Sequence, residues 1–195
     1  MTVALHPPLS RPPPLSRGEC LRQQNKSTMI LAVDVTYSDE DAVVAGVVFQ
    51  SWNDDAPEKE LISRYPHPAS YQPGEFYKRE LPCILQLIKE HSLQPDCIVV
   101  DGFVYLDGHD RPGLGKHLFD ALGGKVMVIG VAKSSFKGIG TEFELCRGGS
   151  LRPLFVTAVG VALDQAKEFI LSMQGRYRIP TLLKRADQLS KMFTQ

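Results

Sequence analysis

The sequence predicts an α/β fold, a single mixed β-sheet carrying helices on both faces. Three observations predict it. Short apolar runs rich in β-branched residues recur along the chain: I-L-A-V-D-V (30–35), A-V-V-A-G-V-V-F (42–49), D-C-I-V-V-D-G (96–102), K-V-M-V-I-G-V-A-K (125–133) and L-F-V-T-A-V (154–159). Segments with apolar residues at helical spacing lie between and after them. The strand runs come first as a group of three and then alternate with helices, the pattern of a sheet covered on two sides.

Each element has its own justification. Ile30 to Tyr37 and Ala42 to Phe49 flank the turn-like S-D-E-D, and a third strand is expected around Leu61 to Tyr65, giving an antiparallel meander. Pro66, Pro68 and Pro73 punctuate a loop. A helix is expected from Phe76 to about His91, with Pro82 forcing a kink or a late start near Glu80. The short run C-I-V-V is a buried strand that leaves the sheet at Asp101-Gly102. A glycine-rich connection leads to a short helix around Lys116 to Leu122, and the next buried strand ends near Lys133. After a polar loop from Ser134 to Gly149 comes L-F-V-T-A-V, then a helix over L-D-Q-A-K-E-F-I-L-S-M closed by Gly175. The last helix is expected from about Pro180, at its first helical position. The resulting order, three strands, α-β-α-β, then β-α-α, matches the ribonuclease-H-like topology more closely than a purely alternating arrangement.

At 195 residues, 43% hydrophobic, the chain has the material for one globular domain. Residues 1–28, with P-P-L-S-R-P-P-P-L-S-R, are expected to be a disordered tail, which leaves 29–195 as the domain. Acidic and basic residues balance at 22 each, so no global charge advertises a polyanion partner. Locally the balance breaks: residues 34–60 hold eight acids and one lysine, while Arg176, Arg178, Lys184, Arg185 and Lys191 near the end face only Asp187. The four cysteines are scattered without a CxxC pair, which argues for a reduced, cytoplasmic protein without a disulfide scaffold or structural zinc. No run has the length of a membrane span. Signatures of serine hydrolases and of Walker-type phosphate binding are missing as well.

Asp34 is the residue that asks for an explanation, because it places a carboxylate inside an apolar strand. It needs solvent, an ion pair or a metal. Glu80 on the first helix and Asp101 at a strand end occupy comparable places, and neighbouring strands would turn Asp34 and Asp101 into one cleft. Converging carboxylates repel, and a hard divalent cation such as Mg²⁺ or Mn²⁺ relieves the repulsion. Singly, each acid also reads as a solvated strand end, a helix N-terminal acid or a turn residue.

The chain resembles the endonuclease V family through V-D-V-T-Y at Asp34, Y-x-P-G at Tyr71 to Gly74, R-E at Arg79-Glu80, V-V-D-G at Asp101, I-G-V-A-K at Lys133, and Y-R-I-P followed by R-A-D-Q-L-S. The resemblance implies a Mg²⁺-dependent endonuclease, with Mn²⁺ able to substitute, that hydrolyses a phosphodiester 3′ to a deaminated base. The substrate implied is deoxyinosine in DNA, with inosine in RNA for some members, handled by a monomer. It implies Asp34, Glu80 and Asp101 as metal ligands, Asp187 as a further metal-proximal acid, and Lys133 as an electrostatic contact to the phosphate. Tyr71 and Pro73 correspond to the family's strand-separating wedge, and Gly102 and Gly113 to the loop that approaches the turned-out base. Arg176, Arg178, Lys184 and Arg185 are expected to contact phosphates. Two other readings stay open: a nucleic-acid-binding module without turnover, and a structure-specific nuclease indifferent to inosine.

Overall fold

The computed structural model describes residues 28–38, 41–66, 68 and 77–193. The proline-rich tail, Tyr71 and Pro73 lie outside the described residues. Among the described residues seven strands form one sheet: β1 (Ile30–Tyr37), β2 (Asp41–Phe49), β3 (Lys59–Pro66), β4 (Cys97–Val100), β5 (Met127–Ala132), β6 (Glu144–Leu145) and β7 (Leu154–Val159). Their spatial order is β3-β2-β1-β4-β5-β7-β6. The meander β1-β2-β3 is antiparallel, β1, β4 and β5 run parallel, and β7 returns antiparallel to β5. This is the mixed ribonuclease-H-like sheet that the element order predicts.

Among the described residues four helices cover it: α1 (Tyr77–Glu90), α2 (Leu114–Ala121), α3 (Leu163–Ser172) and α4 (Thr181–Met192). Because side chains alternate along a strand, β1 sends Leu31 and Val33 to one face and Ile30 and Ala32 to the other. The first pair packs with Cys83, Ile84 and Leu87 of α1 and with Leu114 and Leu118 of α2. The second pair packs with Ala166 and Ile170 of α3 and with Leu182, Ala186 and Leu189 of α4. Burying each of these leucines contributes about 1.5–3 kcal/mol, and small Ala32 and Ala45 beneath α4 let the helix lie close to β1 and β2. That docking fixes the angular position of every other α4 side chain, Asp187 included.

Several boundaries differ from expectation. α1 begins at Tyr77 and runs through Pro82; a proline near a helix start removes one amide donor, a loss that the buried Cys83, Ile84 and Leu87 offset. Pro180 is the residue before α4 rather than its first helical residue, with ψ of 149°. α3 stops at Ser172, short of Gly175. A turn of 3-10 helix (Thr141–Phe143) and the two-residue β6 occupy what the sequence presents as a polar loop, since two residues are too few to register a periodicity. Among the described residues no helix is long and apolar enough to cross a membrane.

Candidate metal centre

The parallel ladder between β1 and β4 ends with the pair Val33 and Val100. The next residues are Asp34 and Asp101. Two carboxylates therefore stand level where the strands part, which is the crevice position at which open α/β sheets build sites. α4 crosses β1 above this point and adds Asp187. Among the described residues, Asp34, Asp101 and Asp187 form a group with one carboxylate oxygen from each lying within 4.8 Å of the others. A cavity of about 320 Å³ opens over them and is lined also by Thr36, Glu80 and Lys191.

Burial raises the Asp34 carboxyl above the ordinary aspartate value, Ser190 pulls it down, and the charges of Asp101 and Asp187 push it up again. The Ser190 hydroxyl, on α4, donates to Asp34 Oδ2 at 2.5 Å and lies 2.7 Å from Thr36 Oγ1. Glu80 reaches the cavity from α1, on the opposite face of the sheet from α4, and is 6% exposed. Its carboxyl is raised well above the usual glutamate range, first by burial and then by Asp34 and Asp101. Arg79 stacks over the Tyr37 ring at 3.9 Å and anchors the first turn of α1.

Cations hold the site together. Lys133, one residue beyond β5, donates to Asp101 Oδ2 at 2.5 Å and to Asp187 Oδ1 at 3.2 Å. Its ammonium is disfavoured by burial, and the two carboxylates more than reverse this, so its pKa rises. Asp187, which burial alone would raise, is held below its ordinary value by Lys191 at 2.8 Å and by Lys133. Such a site has hard oxygen donors only, and the ammonium already lodged between two of them shows that it accepts positive charge. The residues fit a hard divalent cation.

The sequence nominates Asp34, Glu80 and Asp101 as the trio, with Asp187 as a fourth. In the structure Asp187 joins Asp34 and Asp101 in the close group, and Glu80 faces them across the cavity. Gly102 has φ of +144°, which suits glycine where the chain turns out of β4. Its carbonyl lies over Gly130 of β5, where a Cβ would come within 2.6 Å of that oxygen. The amides of Gly102 and Gly113 donate to the carbonyls of Val131 and Val104, so within the fold these glycines serve chain packing.

The four expected phosphate contacts divide. Arg185 makes a two-pronged ion pair with Glu60 of β3, at 2.6 and 2.7 Å, and so braces α4 against the meander rather than reaching toward the aspartates. Arg178 donates to the carbonyls of Lys133 and Pro153. The Arg176 guanidinium carbon and Lys184 Nζ lie over the ring of Tyr177, 4.9 and 5.9 Å from its centre, and Arg176 Nη2 donates to the Tyr177 hydroxyl at 2.7 Å. Beneath this segment lies Arg147, 7% exposed, which sequence reasoning missed. Its Nη1 donates to the carbonyls of Tyr177 (2.6 Å) and Arg178 (3.4 Å), and its Nη2 to those of Met173 (2.6 Å) and Gly175 (3.1 Å). Ser190 was legible in principle: it follows Asp187 by three residues, a spacing that puts both on one helix face.

Comparison with known proteins accords with this geometry. The family model described as Endonuclease V matches residues 18–154. Endonuclease V of Streptomyces avermitilis is 33% identical over 187 residues, covering 83% of this chain and 79% of that protein. Endonuclease V of Streptomyces coelicolor is 27% identical, with 97% of this chain and 95% of that protein covered. Among solved structures, human ENDOV superposes with a TM-score of 0.69 at 23% identity, covering 88% of each chain. The Streptomyces avermitilis enzyme gives 0.66 at 27% identity, covering 92% of this chain and 93% of that one. Endonuclease V of Ciona intestinalis, solved with a 23mer DNA containing an inosine followed by a ribo-adenosine, gives 0.69 at 21% identity over 85% and 84%. The family match includes Asp34, Glu80, Asp101 and Lys133, three of which carry the carboxylates gathered around the crevice, and on this ground the chain belongs to the endonuclease V family.

Proposed function

We propose that the protein is a Mg²⁺-dependent endonuclease that hydrolyses a phosphodiester next to a deaminated purine, deoxyinosine in DNA or inosine in RNA. One observation carries the reading: the convergence of Asp34, Asp101 and Asp187 at the point where β1 and β4 separate. Family membership and the inosine-containing complex of the Ciona relative support the choice of substrate.

Asp34, Asp101 and Asp187 would hold the cation, with Glu80 contributing from the facing wall. Mg²⁺, or Mn²⁺ in its place, supplies Lewis-acid stabilisation of the charge that develops on the phosphate. Ser190 fixes the orientation of the Asp34 carboxylate, as second partners of ligands commonly do. Lys133, whose ammonium lies against Asp101 and Asp187, would offer a donor to the negative charge that develops on the phosphate. Arg176, Arg178 and Lys184 contact the backbone, whereas Arg185 serves the fold through Glu60. Tyr71 and Pro73 wedge the strand where the altered base turns out, and the loop from Gly102 to Gly113 approaches that base. Cys146 is an exposed free thiol, which fits action in a reducing compartment such as the cytoplasm.

The test is cleavage of labelled single-stranded DNA, duplex DNA and RNA, each with and without inosine, with Mg²⁺, Mn²⁺ or a chelator, alongside Asp34→Asn. The expected result is a nick 3′ to inosine that requires metal and Asp34, with the variant slower by about a hundredfold or more. Binding without cleavage would replace the enzyme by a recognition module. Nicking indifferent to inosine would make it a structure-specific nuclease, and full activity in Asp34→Asn would refute the carboxylate site.

A further inference from the structure

A second cavity, about 280 Å³, adjoins the metal centre and shares Lys133 and Asp187 with it. Its remaining lining is Tyr177, Arg178, Ile179 and Lys184. The volume is near the lower end of small-ligand sites, about 300 Å³, so it suits one nucleotide and not a longer stretch.

Its wall has the chemistry of a base platform. Tyr177 is 58% exposed; a large aromatic side chain left in solvent contributes little to the fold. The Arg176 guanidinium carbon and Lys184 Nζ lie over its ring at 4.9 and 5.9 Å from the centre, and Arg176 Nη2 donates to its hydroxyl at 2.7 Å. A base that stacks there takes the place of an exposed side chain, and the displaced positive charge stays within reach of the accompanying phosphate. Stacking on a tyrosine face with a flanking cation is the usual way of gripping an unpaired base whatever its identity. The platform is also held in advance. The carbonyl of Tyr177 itself accepts from Arg147 at 2.6 Å, and Gly148 packs so closely against this peptide that a Cβ there would come within 2.4 Å of the Tyr177 carbonyl carbon. A rigid platform loses little freedom on binding.

Resting on the nuclease reading above, we propose that Tyr177 stacks on a base adjacent to the scissile phosphate, distinct from the altered base, and that Lys184 receives that nucleotide's phosphate. Because the cavity shares Lys133 with the metal centre, the stacked unit lies within one nucleotide of the reacting phosphate. Tyr177 is thus a positioning residue that holds the strand in register with the aspartates and tolerates any base.

The test is fluorescence anisotropy with inosine-containing single strands in which one base at a time, on either side of the scissile bond, is replaced by an abasic unit. Ca²⁺ replaces Mg²⁺ in the binding arm, and Mg²⁺ cleavage is followed in parallel. Tyr177→Ala should weaken binding of the intact strand by about 5- to 150-fold, the loss expected for one base stack. Wild type should lose a similar factor at one abasic position, and Tyr177→Ala should be indifferent to that same position. Tyr177→Phe, which keeps the ring, should behave as wild type. Melting curves establish that the alanine variant is folded. The proposal is overturned if Tyr177→Ala binds as tightly as wild type, or if it remains as sensitive as wild type at every abasic position. Wild-type cleavage without the Tyr177 pattern refutes the stack alone. The pattern without any cleavage refutes the nuclease reading and leaves the stack standing, while a wild type that does not bind the strand overturns both.

Discussion

Replacing Arg147 by methionine tests how far the candidate metal centre depends on a residue that does not touch it. The guanidinium makes two short bonds, to the carbonyls of Tyr177 and Met173 at 2.6 Å each, and two longer ones to those of Gly175 and Arg178. Methionine keeps most of the side-chain volume and removes every donor. A buried carbonyl left without its partner costs about 1–3 kcal/mol, so the two short bonds alone imply about 2–6 kcal/mol. Relief from burying the cation offsets part of this, as does relaxation of the loop. Taking about 4 kcal/mol as the centre, and about 2–4 °C per kcal/mol for a domain of this size, Tm should fall by about 8–16 °C. The loosened segment carries Arg178, whose Nη2 donates to the Lys133 carbonyl, so single-turnover cleavage should slow even at temperatures where the variant is fully folded. Differential scanning fluorimetry and a cleavage time course measure the two effects. A Tm within 2 °C of wild type, the equivalent of about 1 kcal/mol or less, would refute the clamp. Normal cleavage in a folded but destabilised variant would refute its link to Lys133.

Three further outcomes follow from the same geometry. Ser190→Ala removes the hydroxyl that orients Asp34 and should weaken Mg²⁺ binding by about 10–100-fold; a calorimetric affinity equal to wild type would show the hydroxyl to be incidental. Lys133→Met takes the internal cation away from Asp101 and Asp187, so the metal-free protein should lose about 1 kcal/mol, while the rise in Tm on adding Mg²⁺ should be larger than in wild type. An unchanged metal-induced rise would contradict this. Glu80 gives a pH signature. Its raised carboxyl favours the folded state while protonated, a contribution fully present below the ordinary glutamate value of 4.5 and lost as pH climbs through its folded value. Glu80→Gln cannot titrate, so without metal the stability difference between variant and wild type should move in the variant's favour as pH rises across that window. A difference independent of pH between 4 and 9 would place Glu80 in solvent.

Much of this was legible in the chain because a charge inside an apolar run is conspicuous. Asp34 and Asp101 announce themselves that way, Asp34 inside the run of β1 and Asp101 at the exit from β4 that Gly102 marks. The grouping of the acids was less legible. Asp187 lies in a helix of ordinary polar character, and its promotion to the close group depends on the rotation of α4 set by Leu182, Ala186 and Leu189. Arg147 was hidden for a different reason. It sits before two glycines in a polar loop, where arginine is normally solvated, and its burial arises only because the segment after α3 turns four carbonyls toward it. β6 and the 3-10 turn escaped through brevity, and the pairing of Arg185 with Glu60 was hidden because the two lie far apart in the chain and meet only when α4 packs on the meander.

The lysines among the aspartates have a consequence for the order of events. Among these five groups, three aspartates against Lys133 and Lys191 leave one net negative charge. A nucleic-acid backbone approaching in that state meets repulsion. A dication held there would shift this balance by two charges, and would leave the Lys133 ammonium as a donor within reach of an incoming phosphate. On the nuclease reading proposed above, loading the cation would relieve the repulsion that the aspartates offer to a phosphate backbone, so that metal would favour the binding of substrate.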